Sequence, residues 1–247
     1  MKKLLLFLFV LIVFSCHKNS PAPNPTEGNI VLKITNKVNG KIFALNQKYV
    51  TPANDTFYVT NYKYYISNLQ LMNIDNGKYI AVPNSYYLFN AAEQSIIPLG
   101  ASNISPGDYN EILFSIGIDD VRNHTGAQTG ALDATLHSDM FWSWNAGYKF
   151  FVLEGQIRNG NRYSPFVFHI GSDDNFKTET FNSFSKGWNT DINIQAGGTS
   201  EVDVTFNLDS LFKGISPDSL NIMSGSQAAT MANNYATMPQ LTGISNQ

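Results

Sequence analysis

Tyr64-Tyr65-Ile66-Ser67-Asn68-Leu69-Gln70-Leu71-Met72 is followed shortly by Asn76-Gly77 and then by Tyr79-Ile80-Ala81-Val82. Aromatic and branched residues dominate both segments, which favours extended chain. The Asn-Gly pair between them is a strong hairpin turn, because both residues tolerate positive φ. The stretch predicts a β-hairpin, and neighbouring segments extend the pattern. Upstream lies Ile30-Val31-Leu32-Lys33-Ile34. Downstream come Tyr86-Tyr87-Leu88-Phe89, the turn Ser105-Pro106-Gly107-Asp108, and a run from Tyr109 to Ile118. Later strands span Tyr148 to Arg158, Tyr163 to Ile170 and Thr199 to Leu208, with Asn159-Gly160 marking a hairpin between the first two. Helical periodicity is scarce; Asp209 to Lys213 and Gln227 to Tyr235 each have room for a turn or two. Many short strands with Gly, Asn and Pro turns predict an all-β fold, an antiparallel sandwich or barrel-like single domain with minor helical turns. No internal repeat or boundary divides residues 28–247.

The N-terminus reads as an export signal. Lys2 and Lys3 precede an apolar run from Leu4 to Phe14, too short for the roughly 20 apolar residues of a membrane span. The run ends in Val13-Phe14-Ser15-Cys16, the arrangement a lipoprotein signal peptidase reads. Residues 1–15 are therefore expected to be removed and Cys16 to be lipidated, with the membrane as partner through that lipid. Several acyl chains together give stable anchoring, whereas one is marginal. An ordinary cleaved signal followed by a chance cysteine is the plainer alternative. The rest of 16–27, rich in proline and small polar residues, reads as an extended tether. No acidic cluster follows the cysteine, which favours a periplasm-facing lipoprotein over a cell-surface one. Cys16 is the only cysteine, so the mature domain has no disulfide and depends on its core. The 17 Phe, 12 Tyr and 3 Trp suit a large-sheet protein. A net charge of −3 without a basic stripe argues against nucleic acid as a partner.

Nucleophilic catalysis has little support, since Gly-x-Ser-x-Gly, a mature cysteine and a Gly-rich phosphate loop are all missing. Acid pairs occur at Asp119-Asp120 and Asp173-Asp174. They lack calcium-ligand spacing and read as turn formers at strand ends. Histidines are few. Beyond the tether there are His124, just past a strand; His137, in a loop and read as solvent-exposed; and His169, ending Phe166-Val167-Phe168-His169-Ile170. Between them lies Met140-Phe141-Trp142-Ser143-Trp144-Asn145-Ala146-Gly147-Tyr148-Lys149-Phe150. If its first part is extended, Met140, Trp142 and Trp144 share a face. Imidazole suits copper, and a thioether shifts the preference to Cu(I). A histidine ending an apolar strand is nevertheless more often structural, and Met-x-Trp-x-Trp more often core, so spacing alone assigns no metal site.

Taken in order, the segment Tyr64 to Leu71, Asn123-His124, the Trp-rich segment ending in Gly147-Tyr148-Lys149-Phe150, and Phe168-His169-Ile170-Gly171-Ser172 resemble the MbnP family of periplasmic copper-binding proteins. The family is also described as the four-Cys member of a metallo-mystery pair. The resemblance runs from about Gly28 to Phe212, and the Trp-rich segment is its most specific part. It implies a β-rich secreted or lipid-anchored domain that binds copper without catalysing a reaction, for copper handling, storage or delivery. It implies His124 and His169 as ligands, Met140 as a soft neighbour, and Trp142 or Trp144 as the tryptophan oxidised beside the metal. In such systems the oxidation is attributed to a partner di-haem cytochrome of the peroxidase type. The four cysteines are absent here. The corresponding regions read Asp173-Asp174-Asn175-Phe176 and Asn221-Ile222-Met223-Ser224-Gly225-Ser226. Met223, Met231 and Met238 are candidate soft replacements, although methionine is also an ordinary filler of cores.

The rival reading is a β-sandwich surface lipoprotein acting as a protein- or glycan-interaction module, since exposed aromatic residues form binding platforms. Trp142, Trp144 and Trp188 on one flat surface would favour it; convergence of His124 and His169 would oppose it. A hydrolase would need a close carboxylate pair in a deep groove.

Overall fold

The strand Thr56–Asn73 is 18 residues long, and its alternation of buried and outward side chains slips twice. Phe57 and Val59 are buried, then Tyr62, Tyr64 and Ile66, then Leu69 and Leu71. The first slip is an extra residue, Thr60, opposite the Glu154/Gly155 step of a neighbouring strand. The second falls at Asn68, where φ is 55° and the pairing shifts again. Each inserted residue re-aims the side chains that follow it. Apolar residues therefore stay on the core side while the strand bends.

This computed structural model describes residues 26–51, 53–93, 96–183, 190–215 and 221–247. The signal segment, Cys16 and Trp188 lie outside the described residues. The chain opens with β1 (Gly28–Val38), β2 (Lys41–Ile42) and β3 (Tyr49–Val50), then the long β4 (Thr56–Asn73). β5 (Lys78–Ala81), β6 (Tyr86–Asn90), β7 (Ile96–Ile104) and β8 (Gly107–Ile116) follow. A short helix, α1 (Asp120–Asn123), opens the connection to β9 (Phe141–Ser143), β10 (Gly147–Asn159) and β11 (Arg162–Gly171). After them come β12 (Lys177–Asn182), β13 (Ile192–Ile194), β14 (Thr199–Asn207) and β15 (Asn221–Ile222). Helix α2 (Gly225–Ala236) and β16 (Pro239–Asn246) close the fold.

Two sheets face each other. The smaller runs β16-β14-β1, with β2 and β7 also paired to β1; the larger runs β12-β8-β4-β10-β11-β15. One edge of β4 carries β10 and then β8, while its other edge takes β3, β6 and β5. The predicted all-β sandwich is the fold observed. The β1–β14 pair and the short β11–β15 pair are parallel within an otherwise antiparallel arrangement.

The main core lies between the sheets. Ile30, Leu32 and Ile34 of β1 and Val202, Val204 and Phe206 of β14 meet Tyr64 and Leu71 of β4 and Phe151 and Leu153 of β10. Each such side chain contributes about 1.5–3 kcal/mol on burial. Tyr64 stacks on Phe206 across the sheets, with ring centroids 5.2 Å apart. The Asn36 amide lies buried among these rings. Its oxygen accepts from the Tyr62 hydroxyl at 3.1 Å, and its nitrogen donates to the Tyr64 hydroxyl at 3.1 Å. A second cluster lies on the outer face of the larger sheet: Tyr65, Ile118, Leu132, Met140, Tyr148, Phe150 and Val152. It packs the α1–β9 connection against the sheet, and that packing positions the candidate site.

The two predicted helical turns appear as a 3-10 helix at Leu208–Phe212 and as α2. Asn159-Gly160 does mark a hairpin: Asn159 pairs with Arg162, and Gly160 has φ 59°. Asn76-Gly77 also marks a hairpin, that of β4 and β5, whose loop is four residues long because Asn73 pairs with Lys78. The unpredicted β7, β12 and β16 lie at sheet edges. β7 carries Pro98, β12 is mostly polar and β16 begins with proline. Edge pairing tolerates such residues because one side of the strand makes no ladder bonds.

Replacing Asn36 with alanine leaves two buried phenols without their partner. The expected loss is about 2–4 kcal/mol, measured as a lower urea midpoint with an unchanged m-value.

Candidate metal centre

The site begins where β8 runs out. Asp119 caps α1: its side chain accepts the Arg122 N–H at 3.2 Å, and its backbone oxygen accepts the Asn123 N–H at 2.8 Å. The Tyr86 hydroxyl donates to the other oxygen of the Asp119 carboxylate. This short helix thus owes its place to tertiary partners. Asn123, buried, ties it down. Its Nδ2 donates to Asp173 Oδ1 at 2.8 Å, and its Oδ1 accepts the Tyr148 N–H at 2.9 Å. The approach is so close that a Cβ on Gly147 would lie 2.3 Å from Asn123 Oδ1; Gly147 also has φ 77°. Glycine is required there.

His124 follows as the C-cap. Its Nε2 lies 2.9 Å from Asp173 Oδ2 and 3.7 Å from Asp120 Oδ1. The ligand atoms of these three residues lie within 4.8 Å of one another. Asp173 comes from the opposite wall, where β11 ends at Gly171. Ser172 has φ 77° and ψ 142°, a conformation costing a non-glycine residue of order 1–3 kcal/mol. It redirects the chain into a 3-10 helix, Asp173–Asn175. Asn175 holds the turn from below, its Nδ2 donating to the Gly171 carbonyl at 2.6 Å while the Tyr235 hydroxyl donates to its own carbonyl.

These walls bound an open cleft of about 640 Å³, also lined by Trp142, Met223 and the first residues of α2. The Trp142 ring rests on the bare Cα of Gly171, where a Cβ would come within 2.5 Å of it. Met223 is 42% exposed at the rim. The hydrogen bond to Asp173 raises the His124 pKa, against partial desolvation and with help from the charges of Asp173 and Asp120. Burial pushes the Asp173 carboxyl up, but its bonds from His124 and Asn123 outweigh this and hold it below the usual value. The arrangement offers an imidazole, two carboxylates and a nearby thioether to a cation.

The structure brings His124 into this group and leaves His169 out. β11 turns Phe166, Phe168 and Ile170 inward, so His169 faces outward. Its Nε2 is engaged by Glu154 Oε1 at 2.6 Å, and Glu154 in turn accepts from Asn61. Met140 does not line the cleft; it is fully buried in the outer cluster. The shared face expected for Met140, Trp142 and Trp144 is not formed, because extended chain covers only Phe141–Ser143. Met140 ends a 3-10 helix, and Trp144 lies in the turn after β9, 57% exposed and edge-on to Phe141. His137, expected on the surface, is half-buried. Met231 and Met238 belong to the main core; of the late methionines, Met223 alone reaches the cleft. The acid pairs do form turns, and one member of each also meets His124. The sequence signal for this was slight: Asp120 and His124 stand four apart, and Asp173 follows a strand 49 residues later.

A protein-family model described as MbnP matches residues 27–231. Among solved structures, MbnP from Methylosinus trichosporium matches with a TM-score of 0.55 at 15% sequence identity, covering 81% of this chain and 82% of that one. At that identity the likeness is one of fold. No curated protein sequence matches this chain.

Because its folded pKa is raised, His124 contributes stability that is fully present below its unfolded pKa. That contribution is lost as pH rises through the folded pKa. Proton NMR of the imidazole should give a midpoint above the ordinary value of about 6.5, and Asp173→Asn should return it toward that value. A wild-type midpoint at or below 6.5 would show that the His124–Asp173 contact does not form. In Gly171→Ala the new Cβ would meet the Tyr148 carbonyl oxygen as well as the Trp142 ring, so the variant should displace Trp142, red-shift its emission, strain the β10–β11 pairing and destabilise the fold by about 1–3 kcal/mol.

Proposed function

We propose that this chain, which belongs to the MbnP family, is a lipid-anchored copper-binding protein of the cell envelope that handles, stores or delivers the ion and catalyses no reaction. The observation that carries this reading is the convergence of Asp120, His124 and Asp173 on a cleft shared with Trp142 and Met223. The donor set fits the ion. Bonds of about 2 Å to nitrogen and oxygen place neighbouring ligand atoms about 3 Å apart, close to the separations around His124 Nε2. Imidazole with carboxylate suits Cu(II), and the Met223 thioether favours Cu(I) if it swings inward. Donors on an open cleft suit transfer better than a closed structural site. Metal must displace the proton of the imidazolium, so affinity falls as pH drops through the raised His124 pKa.

Trp142 shares the cleft and Trp144 does not, so we assign the oxidised residue to Trp142. The family resemblance supplies the oxidant, a partner di-haem cytochrome. Gly28, the start of β1, and the cleft lie at opposite ends of the domain. Gly28, where the tether joins, lies against Ile194 and Gln195 near the start of β8. The cleft lies beyond the other end of that 10-residue strand, roughly 30 Å away. A periplasm-facing anchor would therefore present the cleft to soluble partners.

The test is metal content and intact mass of the mature domain from its native host, followed by copper titration of variants. About one equivalent of copper is expected, with a mass gain on the Trp142 peptide. Affinity should fall at least tenfold in His124→Ala and in Asp173→Asn, and much less in His169→Ala. An equal loss in His169→Ala would relocate the ion toward that histidine. A metal-free, unmodified chain that binds copper no better than His124→Ala would overturn the reading and favour an interaction module, for which the exposed Trp144 is the best support.

A further inference from the structure

Helix α1 separates two clefts. Asn123 and His124 face the one described above; Arg122 faces a second, of about 610 Å³, between the start of β6 and the connection that follows α1. Among the described residues, Arg122 is the only ionisable side chain lining it apart from the Tyr86 phenol. The guanidinium carbon stands 5.7 Å from the centre of the Tyr86 ring, a cation–π contact. The guanidinium also interacts with the Tyr86 hydroxyl, opposing the rise in that phenol's pKa, and its contacts to amides are long. Nη1 donates to Gln128 Oε1 at 3.4 Å and Nη2 to Asn84 Oδ1 at 3.3 Å, whereas charge-assisted bonds of this kind run about 2.7–2.9 Å. Among the described residues no carboxylate lies within ion-pair distance of Arg122. The neighbouring Asp119 carboxylate is occupied by Tyr86 and by the N–H of α1. A half-buried guanidinium is thus held beside the Tyr86 phenol without a direct ion pair, and two of its donors make only long contacts to neutral amides.

We propose that this second cleft is a binding site for a small organic carboxylate, whose two oxygens take the Nη1 and Nη2 donors of Arg122 as a fork. One positive charge balances one carboxylate and falls short of a phosphate dianion. Ala131, Leu132 and the Tyr86 ring provide an apolar wall for the body of such a ligand. Asn84 and Gln128, displaced from the guanidinium, remain to bond its polar substituents. None of the residues lining this cleft is among those proposed to hold copper, although Arg122 shares α1 with Asp120.

The test uses arginine side-chain NH spectra of the metal-free mature domain, titrated with sodium benzoate at fixed ionic strength. Sodium phosphate and sodium chloride serve as comparison probes. The Arg122 Nε–H signal should move saturably with benzoate, at least fivefold less readily with phosphate, and not at all with chloride. Arg122→Lys keeps the charge but not the fork, and should bind benzoate at least fivefold more weakly, as read from backbone amides of the cleft. Ala131→Trp, which fills the cleft from its far wall, should abolish the shift while leaving the Arg122 signal in place. An unchanged His124 titration shows that α1 is intact in both variants. No saturable shift in the wild type, equal affinity for phosphate, or undiminished binding by either variant would overturn the proposal.

Discussion

Tyr64 lies against Phe206 and shares the buried Asn36 amide with Tyr62, and through this contact the two sheets are held in a single relation. A side-chain amide between two phenols can be satisfied in only one register, because displacement of β1 along β4 would leave donors and acceptors unpaired in the core. The surrounding aromatic rings would tolerate displacement far better on their own. β4 in turn sets the larger sheet. Its two extra residues, Thr60 and Asn68, let one strand serve β10 and then β8 along a single edge. Without them the inward residues of one half would face water.

The outer face of that sheet decides the site. Tyr65, Tyr148 and Phe150 are apolar in body and would be exposed on a plain two-layer sandwich. The connection after β8 covers them with Leu132 and Met140. This covering layer has little regular structure, so it relies on specific polar ties. The Asn123 amide is the central one, joining α1, the start of β10 and Asp173 at once. Gly147 admits the amide, and the strained Ser172 delivers the carboxylate. Two local conformational costs are thus incurred beside the candidate metal centre, as happens where geometry matters more than local stability. α1 also carries Arg122 into the second cleft, so one turn of helix serves both.

Much of this was legible in the chain. The long apolar strands, their hairpins, the short C-terminal helix and the all-β class follow from periodicity and turn chemistry, which are local properties. The edge strands β7, β12 and β16 were not legible, because their residues are held in place by a neighbour and not by propensity. At the site, His124 stood out because histidines are rare here, and Trp142 because of the segment around it. Asp120 and Asp173 looked like turn residues, and that is also what they are. Met140 and His169 looked like donors, yet one fills the outer core and the other pairs with Glu154.

By itself, then, the sequence determined the strands, their core-facing residues and the family resemblance, because alternation and turn geometry act within a few residues of their cause. Only the tertiary structure decided which polar groups meet. Asp120 and His124 share a helix turn, but Asp173 reaches them across 49 residues of chain through the packing of a loop on a sheet. Its position depends on one buried amide, one missing Cβ and one strained serine, none of which has a signature of its own in the sequence.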